Sequence, residues 1–367
     1  MSNSIALAAG GTGGHIYPAL ALAEEIQSQT DPPAVVFFAA NRPLDRQIMS
    51  GAARQFRENF RCVYLAGSAF GGQSGLRKLG SMMFFGVAFM SAWWNLRKCR
   101  CLVAFGGYAS VAASAAAKVR GIPIYIHEQN AVPGRANRLL ASLSQKIFLT
   151  FGAARGRFGK HGGKSIVTGC PVRKKILVDR QPASRSRMRL LVVGGSQGAK
   201  FFLDFFLGRP EFFAWLLERV DVLFLAGSGP ANSPHAIRLV ENAKHLRGSF
   251  TLLPFLERMG PAIRSSDIIL SRSGASFLAE LASVGKARTI LVPFPAALDD
   301  HQTANAHSLA ADLHSLAELH IFGEDQAARI EETLHSAVLK GPVDPPPSFP
   351  DAHAGAACRI LEEIKTA

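Results

Sequence analysis

Acidic side chains are in short supply. Asp and Glu number 27 against 41 Lys and Arg, a formal net charge of +14. That imbalance speaks about partners rather than fold, because a basic surface draws phosphates, anionic lipid or nucleic acid. No recognised nucleic-acid-binding module appears, so nucleic acid is not expected. Cysteine is sparse as well. Cys62, Cys99, Cys101, Cys170 and Cys358 form an odd, scattered set with no zinc-like pairing, which fits a reducing compartment better than a disulfide framework. The N-terminus enters an apolar run within a few residues, with no charged stretch leading a hydrophobic one, so no signal peptide is expected. No cluster of carboxylates has metal-ligand spacing. A tightly bound cofactor or metal is therefore not expected, and a loosely required Mg²⁺ stays open.

What the chain does have is glycine in two telling places. At 367 residues it suits two domains. Ile5-Ala-Leu-Ala-Ala-Gly-Gly-Thr-Gly-Gly-His15 and Leu190-Leu-Val-Val-Gly-Gly-Ser-Gln-Gly-Ala199 each read as a buried strand, glycines, then a helix. Glycine lets the backbone turn sharply and approach a ligand. The helix start presents unpaired N–H groups and partial positive charge, which suits phosphate. Two such turns half a chain apart predict two Rossmann-like halves facing one diphosphate ligand across a cleft.

Two rivals fail on residues. A dinucleotide fingerprint wants a third glycine and an acid ending the second strand. Here Ile16 stands at the third glycine, and the strand ends in Ala40-Asn41-Arg42. Gly163-Lys164-Ser165 resembles the end of a P-loop, but Phe158 occupies its first glycine. A purely structural tight turn remains the bland alternative at each loop.

Short apolar runs alternate with helical stretches throughout, arguing an α/β fold with parallel sheets covered on both faces. Expected strands are Ile5–Ala9, Val35–Ala39, Cys62–Leu65, Leu102–Phe105, Ile122–Ile126, Lys146–Leu149 and Ser165–Val167. In the second half they are Arg189–Val193, Val222–Ala226, Phe250–Leu253, Ile268–Leu270 and Thr289–Val292. Expected helices include Pro18–Gln29, Ala109–Val119 and Gly134–Ser142. The polar, basic stretch Arg180 to Arg187 reads as a linker, and a last helix is expected over Asp351–Lys365.

Open α/β sheets bind ligands at the carboxyl ends of their strands. Polar residues expected there are His15, Tyr108, the run His127-Glu-Gln-Asn130, Thr168 to Arg173, and Ser196. Glu280 falls in the second turn of a third glycine-led helix. A buried carboxylate needs a polar partner, and a ribose diol is a good one; the alternative is an acid favoured by the helix dipole. Asp299 to Asn305 is a further polar cluster.

Leu79 to Leu96, LGSMMFFGVAFMSAWWNL, carries no charge and is flanked by Arg77, Lys78, Arg97, Lys98 and Arg100. Its basic flanks and paired tryptophans match a helix at a lipid interface. A buried helix and a short membrane span are the other readings.

The segments GGTGGHIYPALALAEEI, GGYAS, IHEQNAVPGRANRLL, TGCPVR, VVGGSQGA, SRSGASFLAELASVGKARTILVPFP and DDHQTANA, in this order, resemble the MurG family of cytoplasmic glycosyltransferases. The likeness spans nearly the whole chain and rests on the combination. It implies the GT-B architecture, two Rossmann-like domains facing a cleft. Residues 1–170 would form the acceptor and membrane side, 171–187 a linker, and 188–350 the donor domain. The final helix, in 351–367, would cross back to the first domain. The implied reaction is inverting transfer of GlcNAc from UDP-GlcNAc to the MurNAc C4 hydroxyl of undecaprenyl-diphospho-MurNAc-pentapeptide, lipid I, giving lipid II at the cytoplasmic face of the membrane. The implied substrate contacts are Thr12, Gly13 and Gly14 near the diphosphate or acceptor, with Tyr108 at the neighbouring strand end. Asn130 would meet the sugar nucleotide, Arg173 and Ser196 its diphosphate, and Leu256 the uracil. Ala275, Ser276, Phe277, Leu278, Ala279 and Glu280 would meet phosphate and ribose, and Gln302 the GlcNAc hydroxyls. Cys170 stands where asparagine is frequent in the family. For the catalytic base His15 comes first, since histidine titrates near working pH, and Glu128 second. A related transferase with a diacylglycerol acceptor and a non-catalytic sugar-nucleotide binder are the alternatives.

Overall fold

The computed structural model describes residues 4–56, 59–67, 76–178, 187–195, 199–227, 229–256, 258–284, 288–312, 318–342, 353 and 355–366. They fall into two units, 1–174 with 352–367, and 175–351.

The first unit runs β1 (Ser4–Ala8), α1 (Gly13–Gln27), β2 (Val35–Ala40), α2 (Pro43–Phe56), β3 (Phe60–Leu65), α3 (Leu76–Asn95), β4 (Cys99–Ala104), α4 (Tyr108–Val119), β5 (Ile124–Glu128), α5 (Arg135–Leu140), β6 (Lys146–Leu149) and β7 (Ser165–Val167). Its seven strands are parallel in the order β3-β2-β1-β4-β5-β6-β7. The central strands are apolar on both faces because helices cover both. One side packs Ile16, Leu22, Met49 and Ala52 of α1 and α2 over Ile5, Leu7 and Val103. The other packs Ala88, Ala92, Ala109, Ala112 and Ala116 of α3 and α4 over Ala6, Ala8 and Leu102. Alanine lets those two helices sit close to the sheet.

After α6 (Lys174–Val178), the second unit runs β8 (Met188–Val193), α7 (Ala199–Leu207), α8 (Pro210–Arg219), β9 (Val220–Leu225), α9 (Pro234–Ala243), β10 (Phe250–Leu253), α10 (Met259–Arg264), β11 (Ile268–Ser271), α11 (Ala275–Val284), β12 (Arg288–Leu291), α12 (His301–Asp312), β13 (Glu318–Ile321) and α13 (Ala327–Leu339). Its strands are also parallel, in the order β10-β9-β8-β11-β12-β13. The core is phenylalanine-rich: Phe202, Phe206, Phe213 and Phe224 are sealed from solvent with Leu216, Leu239 and Leu334. The last helix, α14 (Ala356–Lys365), belongs to the first unit, where Ala357, Ile360, Leu361 and Ile364 join the α1 side of the core.

The fold is α/β, with two Rossmann-like sheets, and several element bounds differ from expectation. The helix expected at Pro18 starts at Gly13 and carries Pro18 inside it. Proline marks helix starts, but here the glycine turn has already begun the helix. The last helix starts at Ala356 rather than Asp351. Strand β13 was not expected. It lies at the sheet edge and alternates apolar residues with Glu318 and His320, so it lacks a buried strand's apolar run.

The spanning reading of the tryptophan segment is corrected: among the described residues no helix is long and apolar enough to cross a membrane. Helix α3 instead divides its faces. Ala88, Ala92 and Leu96 are buried, while Met83, Val87, Met90 and Trp94 are 55–66% exposed. Spacings of four, three and four residues put those exposed side chains on one stripe.

Candidate active site

The order of each sheet reverses direction beside its first strand, and such a switch point leaves a crevice at the strands' carboxyl ends. In the first unit this falls where β1 and β4 lie side by side. The loop after β1 is Ala9 to Thr12, and the loop after β4 is Phe105 to Gly107. Phe105 N–H donates to Ala8 O at 2.8 Å, and Ser110 Oγ donates to Ala8 O and accepts from Gly106 N–H at 3.0 Å, tying the two loops together. Glycine is required at two points. Gly107 has φ +83°, and a Cβ there would stand 2.3 Å from Gly10 O. Gly106 has φ +108°, and its Cβ would press within 3.2 Å of His15 Nε2.

His15 is thus framed from two sides. Its Nδ1 lies 3.2 Å from Gly10 O. A carbonyl can only accept, so Nδ1 carries the proton and Nε2 holds the lone pair. Thr12 Oγ1 stands 3.5 Å from the same Nδ1 and does not cap the helix. Gly13 and Gly14 open α1, so their N–H groups point out of its positive end. Tyr17, one turn on, carries the Arg173 guanidinium over its ring at 4.3 Å, and a Cβ on Gly13 would meet that ring at 3.0 Å. Arg173 and the glycine loop are therefore neighbours within this unit. Tyr108 opens α4 with its ring edge-on to Phe85 of α3, 6.3 Å between centroids, and its hydroxyl is beside Gly67; burial raises its pKa.

Glu128 ends β5, only 1% exposed. Its Oε1 accepts from Asn130 N–H at 2.9 Å and Asn130 Nδ2 at 3.2 Å. Its Oε2 accepts from Gly134 N–H at 3.0 Å and Asn137 Nδ2 at 2.8 Å. All of the usual acceptor directions of a carboxylate are taken. Beside it, His127 is fully buried. Its Nε2 donates to Gly169 O at 3.0 Å, and burial holds its pKa down at about 4.

In the second unit the switch point is where β8 and β11 lie side by side. Gly194 follows β8 so tightly that a Cβ would come 2.5 Å from Ala199 Cα. Ser196 lies outside the described residues. Arg272, 4% exposed, hydrogen-bonds Val292 O at 3.0 Å and Pro293 O at 3.2 Å, pairs with Glu324, and lies near the rings of Phe201, Phe202 and Phe294. Ser273 Oγ donates to Gln302 O at 2.8 Å, Asn305 Nδ2 to Ser273 O at 3.1 Å, and Phe294 N–H to Gln302 Oε1 at 3.0 Å. These bonds gather Gln302, in the first turn of α12, onto the loop that opens α11. Ala275, Ser276, Phe277, Leu278 and Ala279 form the start of that helix, and Glu280 is buried in its second turn. Leu256 is half-buried on the loop after β10.

Residues 5–149 match the glycosyltransferase family 28 N-terminal domain, and residues 189–355 match the glycosyltransferase family 28 C-terminal domain. The chain belongs to glycosyltransferase family 28. Family 28 membership makes it a glycosyltransferase, and its solved relatives share the GT-B fold. A protein of Geotalea uraniireducens, named UDP-N-acetylglucosamine–N-acetylmuramyl-(pentapeptide) pyrophosphoryl-undecaprenol N-acetylglucosamine transferase, is 32% identical over 337 residues, covering 89% of this chain and 88% of its own. The protein of the same name from Rhodospirillum rubrum is 36% identical over 321 residues, covering 83% and 76%. The crystal structure of Acinetobacter baumannii MurG superposes with a TM-score of 0.66 at 25% identity over the whole of both chains. The UDP-GlcNAc 2-epimerase of Neisseria meningitidis, bound to UDP-GlcNAc, has a TM-score of 0.62 at 15% identity and shares the fold.

Within this family 28 chain the first unit gathers Thr12, Gly13, Gly14, His15 and Arg173, with Tyr108 opening the adjoining helix and Glu128 bonded to Asn130. The second brings Gln302 to the loop before Ala275. Sequence reasoning passed over Asp45, whose carboxylate is wholly buried and accepts from Gly11 N–H. The expected place for an acid was the end of β2, as far as Arg42, two residues past Ala40, and Asp45 sits three residues later in the first turn of α2. It also left Arg272 and Asn137 unassigned, though both stand inside motifs it quoted.

Proposed function

We propose that this family 28 chain transfers GlcNAc from UDP-GlcNAc to the C4 hydroxyl of MurNAc in lipid I, giving lipid II with inversion at C1. The names of its relatives, at 30% identity or more over most of the chain, support this donor and acceptor. The observation that carries the chemistry is His15: its Nδ1–H is anchored on Gly10 O, and Nε2 keeps a lone pair at the mouth of the glycine loop. His15 takes the proton from the acceptor hydroxyl as its oxygen attacks C1. The N–H groups of Gly13 and Gly14, Thr12 and Tyr108 face the acceptor and its diphosphate. Arg173, Ser196 and the start of α11 stabilise charge on the departing UDP. Glu280 holds the ribose hydroxyls, Leu256 the uracil, and Gln302 and Asn130 the sugar.

Glu128 takes a different role from the alternative base expected of it. A carboxylate engaged by four donors has no vacant direction for a substrate proton. It shapes the turn from Asn130 to Gly134 and so places Asn130.

The lipid-linked acceptor calls for a membrane surface, and α3 offers one. Its stripe of Met83, Val87, Met90 and Trp94 meets an anionic bilayer. The Arg97 guanidinium lies 4.6 Å from the Trp94 ring centre, and Lys98 and Arg100 follow. Binding is peripheral and on the cytoplasmic face.

UDP release from UDP-GlcNAc, measured with and without a lipid I analogue, tests the assignment. Release should depend on the analogue. Stimulation by diacylglycerol instead would move the chain to the alternative acceptor class, and binding of UDP-GlcNAc without turnover would make it a non-catalytic binder.

A further inference from the structure

One peptide unit joins Gly10 to Gly11, and both of its polar ends are engaged. The N–H end, on Gly11, donates to Asp45 Oδ1 at 3.2 Å and lies 3.4 Å from Oδ2. The C=O end, on Gly10, accepts from His15 Nδ1–H at 3.2 Å. Carboxylate, amide and imidazole therefore stand in series, although Asp45 does not touch the ring.

We propose that Asp45 is a positioning residue that holds and activates His15 through the Gly10–Gly11 peptide. The proposal rests on the reading of His15 as the base. Hydrogen bonds in a chain polarise one another. A carboxylate drawing on the Gly11 N–H leaves more negative charge on Gly10 O. That oxygen then grips Nδ1–H more firmly, fixes the tautomer with the lone pair on Nε2, and stabilises the imidazolium that forms when Nε2 takes a proton. The covalent bookkeeping is simple: the acceptor O–H breaks, Nε2–H forms, the acceptor oxygen bonds C1, and UDP leaves with the electrons of the C1–O bond.

The surroundings suit this role. Asp45 has no exposed surface, so water screens its charge poorly. The loop is fixed in place: Gly11 sits at φ +91°, and Gly107 packs against Gly10 O. Burial raises the Asp45 carboxyl pKa, against the opposing pull of Gly11 N–H, Arg42 and His15. The charged and titratable groups acting on it are Arg42 before α2, His15 on α1, and Cys62 and Tyr64 on β3, while Arg46 of α2 faces Cys62 and Tyr64. Cys62 is pushed up to about 12 and Tyr64 is raised, both by burial, so both stay neutral through the working range.

The experiment compares wild type with Asp45→Asn, whose Oδ1 still accepts from Gly11 N–H while the charge is gone. Asp45→Ser serves the same comparison if the first variant fails to fold. Two readouts are taken: the acid limb of the pH–rate profile, and the titration of the His15 ring nitrogens by NMR in the free protein. Without the carboxylate His15 is less basic, so both midpoints should move to lower pH, by about half a unit to one unit. A directly contacting charge shifts a pKa by about one to three units. Maximal turnover should fall several-fold with the KM for UDP-GlcNAc unchanged. Unmoved midpoints in a folded variant would overturn the proposal and leave Asp45 as a clamp for the loop. His15→Ala, run alongside, separates the two ideas: if it keeps normal turnover and the acid limb, the base assignment itself fails, whatever Asp45 does.

Discussion

Asn137 Nδ2 donates to Glu128 Oε2 at 2.8 Å, and Asn130 N–H donates to Glu128 Oε1 at 2.9 Å. The carboxylate is an acceptor on every side, so Glu128→Gln should be poorly tolerated. Whichever way the amide turns, its NH₂ group meets two donors. Each buried donor left without an acceptor costs about 1–3 kcal/mol. The variant should melt at lower temperature and bind UDP-GlcNAc more weakly by calorimetry, yet keep its acid limb. Disappearance of the acid limb in Glu128→Gln would return the base role to this residue.

His15 and Glu280 should separate chemistry from binding. A positioned base contributes about a hundred- to ten-thousandfold in rate. His15→Ala should lose turnover on that order while its affinity for UDP-GlcNAc barely changes. Glu280→Ala should do the reverse in a binding experiment. Losing a hydrogen bond to a charged group costs about 1.5–3 kcal/mol, roughly ten- to a hundredfold in affinity. Equal affinities for the Glu280 variant and wild type would remove the ribose assignment.

The two tryptophans of α3 differ. Trp93 packs against the core with the Arg120 guanidinium 4.0 Å from its ring centre, whereas Trp94 is 60% exposed. Replacing both would confound membrane binding with stability. Met90→Ser with Trp94→Ser should therefore be used. It should weaken sedimentation with anionic vesicles and leave thermal stability and UDP affinity close to wild type, and the binding that remains should still fall with added salt, since Arg97, Lys98 and Arg100 are kept. Vesicle binding unaffected by these changes would put the lipid contact elsewhere.

Acid should destabilise the first unit through two buried imidazoles. His127 and His353 are both held down at about 4 from an ordinary 6.5, burial being the largest cause for each. Positive charge on His353 and Arg359 adds to the effect at His127 and His353 respectively. Between pH 6.5 and about 4 the unfolded chain takes up protons that the folded chain refuses. The stability from these groups is thus present above pH 6.5 and lost as pH falls toward 4. One pKa unit corresponds to about 1.4 kcal/mol, so the loss is on the order of several kcal/mol. His353 Nδ1 accepts from Cys170 N–H at 3.1 Å. His353→Gln keeps an acceptor without the proton site, and urea denaturation at pH 7 and pH 5 should differ less in that variant than in wild type.

Much of this was legible before the structure. The glycine turns after β1 and β8, and the alternation of apolar runs with helices, follow from backbone geometry and from burial on both sheet faces. What escaped was local. Strand β13 lies at an edge and carries polar residues, so burial leaves a faint mark on its sequence. Asp45 escaped because its partner is a backbone N–H that is 34 residues away in sequence. The saturation of Glu128 escaped for a related reason: all four of its bonds come from the turn and helix that follow it, whose path the sequence does not reveal. Residue types announced a polar site at the strand ends, but which acid serves as base or brace depends on how many donors face it.

The central claim is tested most directly by the product. The purified chain is incubated with UDP-GlcNAc and a lipid I analogue, and the lipid product is isolated for mass and for the coupling constant of the new anomeric proton. The account predicts one added GlcNAc per acceptor, joined β to the MurNAc C4 hydroxyl, with one UDP released for each. An unchanged acceptor, or an α-linked sugar, would contradict it.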